Sequence, residues 1–124
     1  MNGLLLYHSN SGNTRLMVQY ASQKLSAFSF DVFDITDPVL PDITAYPVIG
    51  FATWTYYLGL PPLMAEFLNR LPNMPGKPVF LLSSFGMMPG WSLRQMEEAL
   101  TRKGCRVLGG ESLHVPENYP TFIV

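Results

Sequence analysis

Hydroxyl and amide side chains fill the segment Ser9–Thr14, which reads SNSGNT. The segment comes directly after the apolar run Leu4–Tyr7 and His8, and helical periodicity begins at Asn13. Gly12 lets the backbone turn tightly, and the first turn of a helix offers free N–H groups at the positive end of its dipole. Neutral donors at the start of a helix form an anion site, and this one suits a terminal phosphate.

Two further segments carry aromatic side chains where strands are predicted to end. Thr53–Gly59 reads TWTYYLG, and Ser84–Trp91 reads SFGMMPGW. Ligands of open parallel sheets bind outside the carboxyl ends of the strands, near the point where the strand order reverses. We therefore expect both segments to lie beside Ser9–Thr14 and to bind a flat ring next to the phosphate.

The elements that position these segments alternate between strand and helix. Short, unbroken apolar runs are typical of strands buried on both faces, and apolar residues three or four apart indicate helices. The order β-α-β-loop-β-α-β-α-β predicts one α/β domain with a parallel sheet and helices on both faces. The predicted strands are Leu4–Tyr7, Phe30–Ile35, Tyr46–Thr53, Val79–Ser83, and a last strand made of Arg106–Leu108 and Glu111–Val115 and interrupted by Gly109 and Gly110; the predicted helices are Asn13–Ala27, one opened by Pro61 and Pro62, and one between Ser92 and Gly104.

The start of the third helix carries a capping signal. Ser92 and Gln95 have the spacing of a capping box, in which both side chains bond the backbone of the first helical turn. This signal predicts that the helix begins directly after the second aromatic segment.

Composition and motifs exclude several functions. The chain has 124 residues and a net charge of −1, which argues against nucleic-acid binding because such surfaces need clustered Lys and Arg. Cys105 is the single cysteine, so no internal disulfide is expected and the default location is the reducing cytoplasm. One cysteine and two histidines argue against a Cys/His metal site. No apolar run approaches the roughly 20 residues of a membrane span. The sequence contains neither the Gly-x-x-x-x-Gly-Lys nucleotide-binding loop nor the Gly-x-Ser-x-Gly motif of a serine nucleophile. No catalytic residue is assigned.

The sequence resembles the flavodoxin family over essentially all of its length. Residues 9–14 match that family's phosphate loop, which reads Ser or Thr, any residue, Ser or Thr, Gly, any residue, Thr. Gly50 and Trp54 are similar to residues at the second ligand-binding loop of that family. Residues 84–90 and 115–119 resemble the branch in which a flavodoxin-like domain is often followed by a bacterial-type ferredoxin domain holding iron–sulfur clusters.

The resemblance implies a three-layer flavodoxin-like sandwich with a five-stranded parallel sheet of order 2-1-3-4-5, and FMN as the cofactor. The first segment would hold the phosphate, Trp54 would flank the isoalloxazine, and the backbone of the other two segments would bond the ring edge. The resemblance also implies redox partner proteins, among them a ferredoxin domain. The residues assigned to FMN are Ser9, Asn10, Ser11, Gly12, Asn13 and Thr14, then Thr53, Trp54, Thr55 and Tyr56, then Ser84, Phe85 and Gly86.

The end of the chain departs from the family's pattern. Flavodoxin-like domains normally close with a helix after the last strand, and we expect this usual last helix to be missing. Such a helix would bury about four large apolar side chains, each worth ~1.5–3 kcal/mol. Three explanations stay open: residues 1–124 are the N-terminal part of a longer protein, which we favour; a second subunit covers the face in a homodimer; or the domain is a reduced form that is stable alone.

Electron transfer through bound FMN is the function that the resemblance favours. Two alternatives stay open, namely an FMN-dependent oxidoreductase that passes hydride from NAD(P)H to a quinone-type acceptor, and a cofactor-free interaction module of the same fold. An oxidoreductase would need a second pocket over the flavin, and the intact phosphate loop argues against the module. Whether the chain is an enzyme is therefore left open.

Overall fold

The structure of the protein is a computed structural model that describes residues 2–8, 14–55, 59–85 and 90–114. Within these ranges, strands alternate with α-helices, and a short 3-10 helix lies in the connection between the second and third strands. The elements are β1 (Asn2–His8), α1 (Thr14–Lys24), β2 (Ser29–Asp34), the 3-10 helix (Ile43–Ala45), β3 (Ile49–Trp54), α2 (Pro62–Arg70), β4 (Pro78–Phe85), α3 (Ser92–Arg102) and β5 (Arg106–His114).

The five strands form one sheet in the order β2-β1-β3-β4-β5, and every neighbouring pair is parallel. The predicted α/β class and the predicted 2-1-3-4-5 order are thus confirmed. Leu4, Leu5 and Leu6 occupy consecutive positions of β1, and each is 0% exposed. Because successive side chains of a strand point to opposite faces, β1 is covered on both sides, as its unbroken apolar run predicts.

Helices on the two faces of the sheet produce three layers. On one face, Leu6 of β1 belongs to a core shared with Met64 of α2 and Met96 of α3. On the other face, Leu5 belongs to a core shared with Ala21 of α1. The connecting helices therefore bury the central strands from both sides.

The last strand is continuous, so the predicted interruption at Gly109 and Gly110 is wrong. Consecutive residues of β4 pair with Val107 and then with Gly109, which makes Leu108 an extra residue in β5. A bulge of this kind absorbs one residue and bends the strand locally. Both glycines consequently stay in the ladder, and β5 extends to His114.

The third strand begins at Ile49 and not at Tyr46 as predicted. The Tyr46 hydroxyl donates to the Asp31 carboxylate at 2.8 Å, and its carbonyl accepts from the Lys77 ammonium at 2.5 Å. Pro47 has no N–H to contribute to a strand ladder. Tyr46 is therefore held by side-chain contacts before the ladder starts.

A groove of about 310 Å³ lies between α1 and β5. At its edge the Lys24 ammonium of α1 and the Glu111 carboxylate of β5 are 3.4 Å apart. A helix following β5 could pack in this groove, but the residues on which the predicted absence of a last helix depends, 115–124, lie outside the described residues. Apolar lining residues of the groove include Ala21, Leu25, Phe80, Leu82 and Leu108.

Packing between β3 and β4 requires a glycine at position 50. A Cβ on Gly50 would overlap the ring of Phe80, which is itself buried and lies edge-on to Phe30 with 5.7 Å between ring centroids. We expect Gly50→Ala to lower the free energy of unfolding by ~1–3 kcal/mol, because the crowded ring must move within a packed core. Urea denaturation measures this change.

Gly109→Ala is the matched control for this substitution. Gly109 pairs with the same Phe80, but a Cβ there would meet open space, so we expect stability within about 1 kcal/mol of the wild type. Adding Phe80→Leu to Gly50→Ala should recover part of the loss, since a smaller side chain makes room for the methyl group. Equal stability of the two single glycine variants would contradict this packing.

Candidate functional site

The carboxyl ends of β1, β3 and β4 meet at one edge of the sheet. His8 pairs with Thr53, and Trp54 pairs with Ser84, so the residues that end these strands are neighbours. Phe85 ends β4 one position beyond Ser84. The three segments that were predicted to form a site therefore begin side by side at this edge.

The first segment joins the end of β1 to the start of α1, whose first residue is Thr14. The first turn of this helix offers N–H groups that no carbonyl of the same helix can bond, as an anion site requires. The predicted site residues that lie outside the described residues are Ser9, Asn10, Ser11, Gly12, Asn13, Tyr56 and Gly86, together with the side chain of Thr14.

Two hydrogen bonds fix the peptide group that joins Trp54 to Thr55. Thr53 is 0% exposed, and its hydroxyl donates to the Trp54 carbonyl at 3.1 Å. The Thr55 N–H donates to the Ser84 carbonyl at 2.9 Å, which extends the pairing of β3 with β4 by one residue. Trp54 is partly exposed and directly precedes this anchored peptide group. The hydroxyl of Thr53 and the N–H of Thr55 are thus used within the protein.

Three hydroxyl groups form a closed cluster beneath this edge, which we call the hydroxyl triangle. Thr55 Oγ1 lies 3.1 Å from Ser83 Oγ and 2.9 Å from Ser92 Oγ, and the two serine oxygens are 2.5 Å apart. Ser83 and Ser92 are both 0% exposed. The triangle joins the end of β3 to β4 and to the first residue of α3. Neither serine is among the site residues predicted from the sequence, where Ser92 was expected only to cap α3. The one sequence signal for Ser83 is its position next to Ser84 in the otherwise apolar strand β4.

The predicted capping box at the start of α3 is wrong. Trp91 is the N-cap residue, and its side chain makes no capping hydrogen bond. The Ser92 hydroxyl belongs to the hydroxyl triangle, and the Gln95 Oε1 accepts a hydrogen bond from the Leu60 N–H at 2.8 Å. Both side chains that were expected to cap the helix therefore form hydrogen bonds to residues outside it.

His8 at the end of β1 is biased towards its neutral form. Burial lowers the pKa of His8 below its ordinary value of 6.5, and the Asp34 carboxylate opposes this effect only in part. The imidazole centroid lies 6.2 Å from the ring centroid of Trp54, with 46° between the ring planes. At neutral pH the edge therefore presents an uncharged imidazole beside Trp54, which agrees with a site built from neutral donors.

This edge of the sheet combines the start of a helix with two aromatic side chains. A helix start follows β1, and the partly exposed aromatic residues Trp54 and Phe85 end neighbouring strands. Adjacent strands are about 4.8 Å apart, so Trp54 and Phe85 leave the sheet at neighbouring positions of its carboxyl edge.

The described residues contain no group of side chains that could hold a metal ion and no helix that could span a membrane. Among residues 2–8, 14–55, 59–85 and 90–114, no three His, Cys, Asp or Glu side chains are grouped so that they could hold a metal ion. No helix in these ranges has the length and apolar character needed to cross a membrane.

Comparison with solved structures identifies flavodoxins as proteins of the same fold. A flavodoxin from the domain Archaea matches with a TM-score of 0.77 and 20% identity, over 92% of this chain and 85% of that one. The two-electron reduced flavodoxin of Megasphaera elsdenii matches with a TM-score of 0.78 and 23% identity, over 95% of this chain and 90% of that one. A Fusobacterium nucleatum flavodoxin bound to flavin mononucleotide matches with a TM-score of 0.65 and 16% identity, over 86% of this chain and 68% of that one.

No protein-family model and no curated protein sequence matches the chain. At the identities of the structural matches, the likeness establishes a flavodoxin-like fold. It also agrees with the parallel sheet order seen here.

The lowered pKa of His8 makes stability depend on pH in a defined direction. Because the folded state binds a proton at His8 less readily than the unfolded state, whose pKa is near the ordinary 6.5, stability should fall as the pH drops below about 7. His8→Gln should remove this part of the pH dependence, since glutamine does not titrate. Urea denaturation between about pH 5 and about pH 7.5 compares the two proteins.

An NMR titration provides an independent check on the same group. The imidazole signal that disappears in His8→Gln should titrate below 6.5 in the folded wild type. A midpoint at or above 6.5, or equal pH slopes for the variant and the wild type, would contradict the lowered pKa.

Proposed function

We propose that this chain is a flavodoxin-like electron-transfer protein that binds FMN non-covalently at the carboxyl edge of its sheet. The observation that carries the proposal is the adjacency of the ends of β1, β3 and β4, with α1 beginning shortly after β1. A protein of the same fold, the flavodoxin of Fusobacterium nucleatum, is bound to flavin mononucleotide. The neutral, hydroxyl-rich first segment supports the choice of a phosphate-bearing flavin.

Each part of the edge has a distinct role in this proposal. Ser9–Thr14 and the N-terminus of α1 hold the phosphate through neutral donors, and Trp54 and Phe85 line the ring. Contact between large aromatic rings contributes ~0.5–1.5 kcal/mol beyond the burial of area, and apolar walls disfavour additional charge on the ring. The bound flavin supplies the redox chemistry, while the protein binds it, orients it and sets its surroundings.

The electron partner and the assembly state complete the proposal. We assign the partner to the class of redox proteins, with a ferredoxin domain as the specific candidate because residues 84–90 resemble the ferredoxin-linked branch. A homodimer that covers the groove between α1 and β5 is supported by the apolar lining of that groove and by Leu108, which is 51% exposed. The single cysteine supports a cytoplasmic location.

Calorimetric titration of FMN into the flavin-free protein tests the cofactor. Wild-type protein should bind FMN, and Ser11→Ala combined with Thr14→Ala should weaken binding by ~2–6 kcal/mol, since each lost hydrogen bond to a charged group is worth ~1.5–3 kcal/mol. The absorption spectrum of the desalted complex should retain the flavin bands.

Ser29→Ala combined with Thr101→Ala is the matched control. Ser29 begins β2 at the opposite edge of the sheet, and Thr101 lies in the last turn of α3, so two hydroxyls are removed away from the proposed site. The affinity of this control for FMN should equal that of the wild type. Equal affinities of the wild type and the Ser11, Thr14 variant would contradict the phosphate assignment.

Two assays separate the remaining candidates for the function. Oxidation of NADH or NADPH by the FMN complex in the presence of a quinone would favour the oxidoreductase over the electron carrier. Failure of the wild type to bind FMN would favour the cofactor-free module. Sedimentation analysis of the wild type and of Leu108→Asp tests the homodimer, which the added charge should dissociate.

A further inference from the structure

The first turn of α3 holds both ends of the segment that joins β3 to α2. At one end, Ser92 Oγ lies 2.9 Å from Thr55 Oγ1. At the other end, Gln95 Oε1 accepts a hydrogen bond from the Leu60 N–H at 2.8 Å. Residues three apart lie on the same side of a helix, so a single helical turn fixes both ends of this connection.

At the Thr55 end, the contact between Ser92 and Thr55 is one side of the hydroxyl triangle, in which each of the three O–H groups can donate to a neighbouring oxygen. Each hydroxyl of the hydroxyl triangle has one donor, and three hydroxyls share three short contacts. When the bonds run in one direction around the triangle, each hydroxyl donates once and accepts once. Removing the Ser92 oxygen would leave one bond between Ser83 and Thr55 and one buried O–H without its partner, which is costly away from water.

At the Leu60 end, the contact depends on a close approach of the Gln95 side chain. A Cβ at Gly59 would lie 3.0 Å from Gln95 Oε1, so a larger residue at position 59 would press on this amide. Leu60 itself packs against the core on the α2 and α3 face of the sheet. The amide of Gln95 thus satisfies a backbone donor at the point where the connection returns to the core.

The hydrogen bonds of Thr55 connect the strand end that carries Trp54 to the strand end that carries Phe85. Thr55 follows Trp54 directly, and its N–H donates to the carbonyl of Ser84, the residue before Phe85. The first turn of α3 therefore acts on the neighbour of Trp54 through Ser92 and on the far end of the same connection through Gln95.

We propose that Ser92 and Gln95 are positioning residues for the flavin ring, a role that rests on the proposed function. Neither side chain needs to touch the cofactor. By holding Thr55 and Leu60, they set the position of Trp54 against Phe85, and through it the affinity for FMN and the reduction potential of the bound flavin.

Substitution of Gln95 tests this role with a closely matched pair of variants. Gln95→Met keeps the length of the side chain but has no oxygen acceptor, whereas Gln95→Glu keeps an oxygen acceptor. In the flavin-free protein, hydrogen exchange of the Leu60 amide should accelerate about tenfold in Gln95→Met and stay close to wild type in Gln95→Glu. FMN affinity should fall about three- to tenfold in the methionine variant only, together with a shift in its midpoint potential.

A double-mutant cycle tests Ser92 within the hydroxyl triangle. Ser92→Ala should weaken FMN binding and shift the potential, and Thr55→Val should have a smaller added effect in the Ser92→Ala background than in the wild type. Glu98→Ala is the control, because Glu98 is an exposed residue one turn further along α3. This control should leave the affinity and the potential unchanged.

The outcomes distinguish the positioning role from the proposed function. An unchanged exchange rate of the Leu60 amide in Gln95→Met would contradict the hydrogen bond from the Leu60 N–H to Gln95 and overturn the positioning role of Gln95. Suppose that the Leu60 amide exchanges faster in Gln95→Met, but that FMN affinity and midpoint potential stay unchanged in this variant and in Ser92→Ala. Both residues would then have only a structural role, and the positioning role would be overturned while the proposed function would stand. Failure of the wild type to bind FMN would overturn the proposed function and the positioning role together.

Discussion

The central strands of this sheet are buried on both faces, and covering them determines the rest of the structure. Leu4, Leu5 and Leu6 are fully buried on alternating sides of β1, and burial of each is worth about 1.5–3 kcal/mol. Parallel neighbours must be joined by crossovers over a face of the sheet, so the helices that connect the strands also cover them. In a parallel sheet every such connection begins at the carboxyl end of a strand. The segments that follow β1, β3 and β4 therefore begin side by side at one edge of the sheet.

The same burial requires the polar groups beneath this edge to bond one another. Thr53, Ser83 and Ser92 are 0% exposed, and a buried hydroxyl without a partner is costly. Their partners come from β3, β4 and α3, so satisfying these hydroxyls also ties the elements of the proposed site together. The lowered pKa of His8 fits this environment, since burial disfavours a charged imidazole as it disfavours unpaired hydroxyls.

Sequence patterns predict those features whose causes are local. Unbroken apolar runs such as Leu4–Tyr7 identify strands, and their alternation with helices predicts the parallel sheet and the edge where its strands end. The capping box failed because the partners of its two side chains lie outside the helix: Ser92 bonds Ser83 and Thr55, and Gln95 bonds Leu60, which is 35 residues away. The continuity of β5 was missed for the same reason, since the bulge at Leu108 is defined by pairing with β4 and not by the glycines beside it.

The most direct test of the central claim, that one edge of the sheet binds FMN, is an NMR titration of the flavin-free protein that follows each backbone amide. We predict large shift changes in the segments after β1, β3 and β4, and unchanged amides at Ser29 in β2 and Leu25 after α1, near the opposite edge. Changes confined to the groove between α1 and β5, or no changes with FMN in excess, would contradict a flavin site at the carboxyl edge.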